Sequence, residues 1–297
     1  MDKDYLSSIG ITVNETDYPF TVLDVQNKAG SARISLLGGN VLSYAPAGER
    51  QVLWVSAKSN FAYGKAIRGG IPVCWPWFGP SPVEGRPAHG AVRTAPWELL
   101  SAEKLAGDAV KVTLVVSDKN CSPCQVDFPF YLELGITVGT ALEVELRAFN
   151  TGDKPQIFQA ALHTYFAVNE AGKITVSGLD KHQYIDKAPD HAGECNVQSG
   201  DLEIDREIDR VFCPASGTVK ISDPDWRRTI CVEKAGSLST VVWNPWIAKS
   251  QAMADFGDNE YHKMVCVECA NVFDDARTVP PGGMTSIIQK ISVDKWD

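Results

Sequence analysis

The sequence lacks any long hydrophobic run. No segment approaches the roughly 18–20 consecutive apolar residues that a membrane-spanning helix requires. The first ten residues, MDKDYLSSIG, contain neither the basic nor the apolar region of a secretory signal. We therefore expect a cytoplasmic protein that has no membrane partner.

An excess of basic residues is also absent. The 297 residues include 28 Lys and Arg against 37 Asp and Glu, which gives a formal net charge of −9. Nucleic acids and anionic membranes are usually bound by an excess of basic residues, so we expect neither as a partner. Hydrophobic residues make up 44% of the chain. This content is enough for a large core and excludes wholesale disorder.

Helical periodicity is missing too. No stretch keeps it over a dozen residues, and the best short candidates, 101–106 and 247–254, are expected to be connecting turns. The dominant period is two instead. Residues 130–149 alternate large apolar residues with smaller or polar ones, with an interruption at Gly139-Thr140. This pattern predicts a β-hairpin whose turn has two residues and begins with glycine.

Other strand-like segments share this alternation and are separated by clusters of Gly, Pro, Asn and Asp. They are residues 19–25, 31–37, 51–55, 109–117, 156–162, 173–177, 228–233, 238–243, 263–269 and 285–293. More than ten short strands without a βαβ order predict an all-β protein. We expect a large antiparallel β-sandwich with few short helices, formed as a single domain by residues 1–297.

The eight cysteines include two C-x-x-C pairs, Cys121/Cys124 and Cys266/Cys269, which raise the question of a zinc site. Cys266 and Cys269 lie in a strand-like run, where residues i and i+3 point to opposite faces of a sheet. The two pairs are also far apart in the sequence. We therefore expect no metal, and reduced, mostly buried thiols.

The segment 65–97 departs from the strand pattern because it is rich in Pro and Gly, and its aromatic residues argue against disorder. Its charged residues up to position 93 are Lys65, Arg68, Glu84, Arg86 and Arg93, a local charge of +4 − 1 = +3. Arginine suits phosphate because its planar guanidinium donates two parallel hydrogen bonds. Gly69-Gly70 would also let the backbone approach a ligand closely. The alternative is that these cations are solvated or pair with distant acids.

Two residues are candidates for acid–base chemistry. His163 has an ordinary pKa near 6.5, which suits proton transfer at neutral pH, although a lone histidine among aromatic residues is often structural. Glu268 lies in an otherwise apolar strand, Met264–Ala270. A buried carboxylate there would need a partner or a purpose, and desolvation would raise its pKa. A glutamate at a strand edge facing water is the alternative.

Polar and aromatic residues elsewhere are candidates for ligand contacts. Asp209 could accept hydrogen bonds from hydroxyl groups, or form a surface ion pair. Four tryptophans could stack on a sugar ring, although we expect at most one or two of them to do so and the others to be core residues: Trp75, Trp77, Trp243 and Trp246.

These segments together resemble the hexose-6-phosphate mutarotases (glucose-6-phosphate 1-epimerases) of the aldose 1-epimerase, or galactose mutarotase-like, superfamily. The motifs occur in the family's order over most of the chain. They are Arg68-Gly69-Gly70-Ile71-Pro72 with the following W-P-W-F-G, His89-Gly90-Ala91-Val92-Arg93, Leu162-His163-Thr164-Tyr165-Phe166, Asp209-Arg210-Val211, Val242-Trp243-Asn244-Pro245-Trp246 and Val265-Cys266-Val267-Glu268.

The resemblance implies a β-supersandwich that holds a sugar phosphate, with His163 as catalytic acid and Glu268 as catalytic base. It also implies substrate contacts from Arg68, Arg93 and Asp209, with His89 as a secondary candidate. Anomer exchange involves no redox change and no group transfer, so neither a cofactor nor a metal is expected. The residue before His89, which can be a substrate-contacting glutamine in relatives, is Ala88 here, so the resemblance does not fix the sugar preference.

The residues leave other functions open. A mutarotase for unphosphorylated aldoses would not need the arginines, and a non-catalytic carbohydrate-binding module would need neither acid nor base. A glycosidase commonly needs two carboxylates, for which Asp209 would have to join Glu268. The leading prediction is a monomeric hexose 6-phosphate 1-epimerase whose only partner is a small sugar phosphate.

Overall fold

The period-two segments of the sequence form strands. The computed structural model describes residues 2–121 and 126–296. Its strands are β1 (Ile11–Asn14), β2 (Val22–Gln26), β3 (Gly30–Ser35), β4 (Val41–Pro46), β5 (Val73–Cys74), β6 (Glu98–Lys104), β7 (Val110–Ser117), β8 (Phe130–Val138), β9 (Leu142–Asn150), β10 (Gln156–Phe158), β11 (Ala160–Leu162), β12 (Tyr165–Ala167), β13 (Thr175–Ser177), β14 (Gln183–Asp186), β15 (Cys195–Val197), β16 (Leu202–Glu203), β17 (Ile208–Phe212), β18 (Val219–Asp223), β19 (Arg228–Ala235), β20 (Ser239–Asn244), β21 (Met264–Asn271), β22 (Arg277–Val279) and β23 (Met284–Lys295).

Helices are few and short in the described residues. The α-helices are α1 (Lys3–Ser8) and α2 (Trp246–Ala252). Turns of 3-10 helix cover Val92–Thr94, Ala106–Asp108, Ala171–Lys173, Pro189–His191, Glu260–Lys263 and Phe273–Asp275. Among the described residues, none of the helices combines the length and the apolar character that crossing a membrane requires.

Two large antiparallel sheets dominate the architecture, which confirms the predicted fold class. One has the strand order β15-β14-β17-β20-β21-β11-β5, with β12 also paired to β21. The other has the order β16-β13-β18-β19-β23-β9-β8-β7-β6. The ladders within both sheets are antiparallel. Strands β1–β4 form a third sheet, and β10 pairs with β22.

The main core contains buried apolar side chains from both large sheets, including those of β8, β9, β21 and β23. One buried polar link also joins the sheets. Gln289 of β23 accepts a hydrogen bond from the Thr164 hydroxyl at 2.5 Å and donates one to the Val267 carbonyl at 3.2 Å. Because each of these polar groups is satisfied, the link can stay inside the core. A second cluster, rich in aromatic residues, packs on the side of β21 that carries Cys266.

The hairpin β8–β9 confirms the predicted strands but not the predicted turn. Val138 pairs with Leu142, so the turn has the three residues 139–141 rather than two. Both side chains of this pair are fully buried. A two-residue turn would shift the register by one and move Leu142 to the other face of the sheet, so burial of Leu142 decides the register.

Two local predictions were wrong. Residues 101–106 do not form a connecting turn but lie mostly in β6, which pairs with β7. Residues 51–55 form no continuous strand; Leu53 and Val55 make isolated bridges to Phe166 and Gly69 instead. In both segments, contacts with neighbouring strands decided the conformation more than the local pattern did. Residues 247–254, the other candidate for a connecting turn, lie largely in α2, a helix of seven residues that connects β20 to β21.

The cysteines fit the prediction of free thiols where the structure describes them. Cys74, Cys121, Cys195, Cys213, Cys231, Cys266 and Cys269 are all free, and the first, second and last three of these are buried. Cys266 and Cys269 belong to different clusters on opposite faces of β21, as the strand pattern predicted. Cys124, the partner in the other C-x-x-C pair, lies outside the described residues.

Candidate active site

Glu268 lies on β21, a central strand of the eight-stranded sheet. Its neighbour on β20 is Val241, and its side chain is only 1% exposed. The strand-edge alternative is therefore wrong. A carboxyl group has been placed in an apolar strand that is paired on both sides. Such a position costs free energy and indicates a purpose other than stability.

His163 lies at the break between β11 and β12, directly beside Glu268. Its ring stacks on Tyr165 at a centroid distance of 4.8 Å and an angle of 8°. The His163 Nδ1 atom lies 3.4 Å from Oε1 of Glu268. The orientation is not that of a hydrogen bond, and both Nδ1 and the other carboxyl oxygen, Oε2, are buried without a hydrogen-bond partner. Two polar groups are thus held in close contact but left unsatisfied.

The surroundings push the two pKa values in opposite directions. Burial raises the pKa of Glu268 well above 4.5, and Asp209 adds to this effect while Lys187 opposes it. Burial also lowers the pKa of His163 well below 6.5, with further lowering by His89, Arg68 and Arg93. A single proton on the pair is therefore favoured on Glu268 in the unliganded site. This is the reverse of the protonation expected from the sequence.

The pair lines a cavity of about 290 Å³, close to the smaller end of the range for small-molecule sites. The lining residues are Arg68, Phe78, Ala88, His89, Arg93, His163, Lys187, Asp209, Val241, Trp243, Lys249, Met253 and Glu268. All six site residues expected from the sequence line this one cavity. They come from segments that are up to 200 residues apart along the chain, for example Arg68 and Glu268.

Arg68 enters the cavity already paired. Its guanidinium contacts the Asp255 carboxylate, with Nη2 3.1 Å from Oδ2, and donates from Nη1 to the Tyr165 hydroxyl at 3.1 Å. The expectation that Gly69-Gly70 admits a ligand is not supported. A Cβ on Gly69 would meet the Trp54 carbonyl and the backbone of Val55. These glycines let two segments of the protein itself approach each other.

Arg93 and His89 lie at the end of the Pro- and Gly-rich segment. Nη2 of Arg93 donates to the Ala88 carbonyl at 2.8 Å, and its Nε is buried without a partner. His89 packs edge-on against Phe78 and against His163. Burial, Arg93, Lys187 and Arg68, in that order, lower the pKa of His89 to about 3. His89 therefore faces the cavity as a neutral ring at neutral pH.

The other two cations of the segment lie elsewhere. Lys65 does not line the cavity, and Arg86 pairs with Asp127 at 3.5 Å, outside it. The sequence-local charge of +3 is therefore not the charge of the site. Two lysines that the sequence reasoning missed take their place: Lys187, after β14, and Lys249, on α2.

Lys187 and Lys249 differ in their partners. Lys249 pairs with Glu207 at 2.7 Å and lies 3.8 Å from Asp209. Lys187 has no carboxylate within ion-pair distance among the described residues; its ammonium group lies over Phe78 and Phe273. The cavity therefore has two cations without a carboxylate partner among the described residues, Lys187 and Arg93, and both can still bind an anion.

Asp209 lines the cavity on β17. Burial raises its pKa, while Lys187 and Lys249 oppose that rise. Only Trp243 of the four tryptophans lines the cavity. Trp75 is fully buried in the main core, and Trp246 packs against Tyr261. This agrees with the expectation that most of the tryptophans are core residues.

Comparison with known proteins places this chain in a family. Residues 21–292 match the family described as "Aldose 1-epimerase". The chain belongs to the aldose 1-epimerase family. The predicted membership and the predicted class of enzyme, an isomerase, are thereby confirmed.

Relatives of known sequence lie within this family. The chain is 38% identical over 239 residues to an Escherichia coli K12 protein named "Putative glucose-6-phosphate 1-epimerase", covering 80% of this chain and 79% of that one. A protein of the same name from Cenchrus ciliaris is 35% identical over 261 residues, or 84% of this chain and 78% of that one.

Solved structures agree with the fold. A Salmonella typhimurium structure described as a "putative mutarotase (YeaD)" superimposes with a TM-score of 0.85 at 30% identity, covering 98% of this chain and 99% of that one. A galactose mutarotase-like protein from Clostridium acetobutylicum has a TM-score of 0.73 at 14% identity and shares the fold, covering 96% and 98%. The galactose mutarotase-like architecture expected for an aldose 1-epimerase is thereby confirmed.

The candidate site and its immediate surroundings also contain residues that no motif indicated: Lys187 and Lys249 line the cavity, and Asp255 contacts Arg68. Asp255, Lys187 and Lys249 lie in segments without a recognisable pattern. Residue type alone does not distinguish them, because isolated lysines and aspartates are common on any protein surface. The fold packs α2, the residues just after it and the segment after β14 beside the cavity. Asp255 therefore contacts Arg68, Lys249 lies near Asp209, and Lys187 lines the cavity.

Proposed function

We propose that the protein interconverts the α and β anomers of a hexose 6-phosphate, with glucose 6-phosphate as the expected substrate. The observation that carries the proposal is a buried, unsatisfied His163–Glu268 pair in a cavity that also holds Arg93 and Lys187. The names of the Escherichia coli and Cenchrus ciliaris relatives support the same substrate.

The reaction needs one acid and one base. Glu268 takes the proton of the C1 hydroxyl while His163 gives a proton to the ring oxygen. The C1–O5 bond breaks and C1 becomes an aldehyde. After rotation about C1–C2, the same two groups return the protons in reverse and close the ring on the other face. No electrons or groups leave the sugar, so the step balances without a cofactor. Each positioned group contributes about 10²–10⁴-fold.

Binding of the phosphate prepares the pair for these roles. Arg68 and Arg93 lower the pKa of His163 in the unliganded site. A phosphate bound by these arginines opposes their charge, so the pKa of His163 rises and His163 becomes easier to protonate. The charged end of the substrate thus favours the acid form of His163 as it binds, which links recognition of phosphate to catalysis.

The remaining lining residues recognise the sugar. Asp209 accepts hydrogen bonds from ring hydroxyls, His89 contributes a neutral ring nitrogen, and Trp243 offers an apolar face. Ala88 adds no hydrogen bond. The single-domain organisation and the monomeric state remain predictions, as does the absence of a nucleic-acid or membrane partner.

The test uses polarimetry to measure the catalysed rates of anomerisation of glucose, galactose and their 6-phosphates at equal concentration. We expect the enzyme to accelerate anomerisation of the 6-phosphates more than that of the free sugars. We also expect His163→Ala and Glu268→Gln each to lower kcat at least about 100-fold. Equal rates for both classes would favour the unphosphorylated-aldose mutarotase. Binding without any acceleration would favour a carbohydrate-binding module.

A further inference from the structure

Cys266 lies beside the acid–base pair but takes no part in the proposed chemistry. It is two residues before Glu268 on β21, so both side chains project from the same face of the strand. Its side chain is fully buried and belongs to the aromatic cluster that includes Tyr165 and Trp243. Cys266 is therefore a thiol placed next to a carboxyl group and an imidazole.

The three side chains have donor atoms at metal-binding spacing. The Cys266 sulfur, one ring nitrogen of His163 and one carboxyl oxygen of Glu268 all lie within 4.8 Å of one another. Tetrahedral zinc with ordinary bond lengths holds such donors roughly 3.4–3.6 Å apart. The 3.4 Å between Nδ1 of His163 and Oε1 of Glu268 already meets this requirement. Only a small movement of the sulfur or of a side-chain torsion is needed.

A second observation points to an added ligand. Nδ1 of His163 and Oε2 of Glu268 are buried with no hydrogen-bond partner, on residues that are 8% and 1% exposed. Both residues line the cavity, so an ion can reach them from solvent. Two atoms with unused lone pairs, His163 Nδ1 and Glu268 Oε2, therefore belong to residues that line the cavity, and the Cys266 thiol lies next to these residues.

We infer that His163, Cys266 and Glu268 form an inhibitory site for a thiolate-binding divalent cation of the zinc type. A thiolate, an imidazole and a carboxylate are the ligand types zinc prefers, and three protein ligands leave a fourth position open towards the cavity. The thiol proton and any proton on Glu268 pass to solvent on binding. The bound ion then occupies the lone pairs that the proposed proton transfers use, so activity is lost.

Binding is measured without any sugar, so that it does not depend on the proposed function. Protein without a polyhistidine tag is titrated with Co²⁺, whose bond to a thiolate gives a charge-transfer absorption, and Zn²⁺ is then added to displace it. We expect one ion per chain in the wild type, and loss of the absorption with at least tenfold weaker Zn²⁺ binding in Cys266→Ala. The matched control is Cys269→Ala, a buried thiol on the opposite face of the same strand, which should bind as the wild type does.

Activity gives the second readout. Zn²⁺ should inhibit wild-type anomerisation and a chelator should restore it, whereas Cys266→Ala should keep its activity and resist the ion at least tenfold better. Unchanged Co²⁺ absorption in Cys266→Ala, or no wild-type binding at micromolar Zn²⁺, would overturn the inference. If binding depends on Cys266 but no sugar is anomerised, the proposed function fails while the metal site stands.

Discussion

Asp255 fixes the guanidinium of Arg68 by contacts to two of its nitrogen atoms. Nη2 of Arg68 lies 3.1 Å from Oδ2 of Asp255, and Nε lies 3.3 Å from the same oxygen. The third nitrogen, Nη1, donates to the Tyr165 hydroxyl, and the ring of Tyr165 stacks on His163. Asp255 therefore orients an arginine that is connected to the proposed acid through one tyrosine.

Replacing Asp255 should disturb this arrangement. We expect Asp255→Ala to lower kcat/KM for glucose 6-phosphate by about tenfold, because a loosely held arginine binds the substrate in less productive positions. The control is Asp258→Ala, which removes the exposed ion pair with Lys58 and should leave the kinetics unchanged. Asp255→Glu should restore part of the loss. Equal kinetics in both alanine variants would show that Asp255 has no positioning role.

The cations of the cavity should decide the preference for phosphate. In Arg93→Met and in Lys187→Met we expect KM for glucose 6-phosphate to rise at least tenfold, with a smaller change for glucose, because each variant removes a charge that we assign to the phosphate. The matched control is Lys65→Met, which lies in the same basic segment but not in the cavity. A similar loss for both sugars would place these cations at the reacting end instead.

The two substrates should differ in the pH dependence of kcat. Arg68 and Arg93 lower the pKa of His163, and a bound phosphate opposes them, so the pair should hold its single proton to higher pH. The basic limb of kcat should therefore lie at higher pH with glucose 6-phosphate than with glucose. The measurement is kcat against pH for both sugars with the wild type. Coincident basic limbs would contradict the coupling of phosphate binding to protonation.

His89 should make stability depend on pH. Its folded-state pKa of about 3 lies below the ordinary value of 6.5, so only the unfolded state takes up a proton between these values. The free energy of unfolding should therefore fall as the pH falls from 6.5 towards 3. We expect His89→Asn to remove about 1 kcal/mol of this loss by pH 5, a value reduced for the partial exposure of His89.

Urea denaturation at several pH values measures this difference. Asparagine is a suitable replacement because His89 has a φ of 60°, a left-handed conformation that Asn tolerates well. The remaining titrating groups are common to both proteins and cancel in the comparison. Parallel stability curves for the wild type and His89→Asn would show that His89 is protonated as readily in the folded chain as in the unfolded one.

Two glycines share the same positive φ, so alanine would be equally strained at either position, which allows a steric test. Gly85 and Gly90 both have a φ of 82°. A Cβ on Gly90 would collide with the Trp75 carbonyl, whereas one on Gly85 would meet nothing within 4 Å. We expect Gly90→Ala to cost about 3 kcal/mol of unfolding free energy, and Gly85→Ala about 1 kcal/mol. Equal losses would mean that strain alone, and not contact with Trp75, requires glycine at position 90.

Much of the fold was predictable because its signals are local. Side chains alternate between faces along a strand, so the pattern of residues 130–149 predicted β8 and β9 from the sequence alone. Where a segment lacks a clear alternation, as in the mostly exposed β6, or is short, as at residues 51–55, neighbouring strands determined its conformation and the prediction was wrong. The predicted length of the turn between β8 and β9 was wrong for a similar reason, because burial of Leu142 depends on the whole sheet.

The candidate site divides in the same way. Glu268 was noticeable because a carboxyl group interrupts an apolar strand, and His163 because its neighbours match a family motif. Asp255 and Lys187 gave no such signal, since their chemistry arises only from what they contact. The local charge of +3 between Lys65 and Arg93 was a real feature, but only half of those cations reach the cavity.

The sequence by itself indicated an acidic, strand-rich protein of the aldose 1-epimerase family and pointed to His163 and Glu268 as the candidate acid and base. Alternation and motifs depend on residues that are close along the chain, and composition does not depend on their arrangement, so these properties are present before the chain folds. The tertiary structure decided which charges meet and where the protons lie. A pKa depends on burial and on charges that are distant along the chain, and only the packing of the sheets brings Arg68, Lys187 and Asp209 to the His163–Glu268 pair.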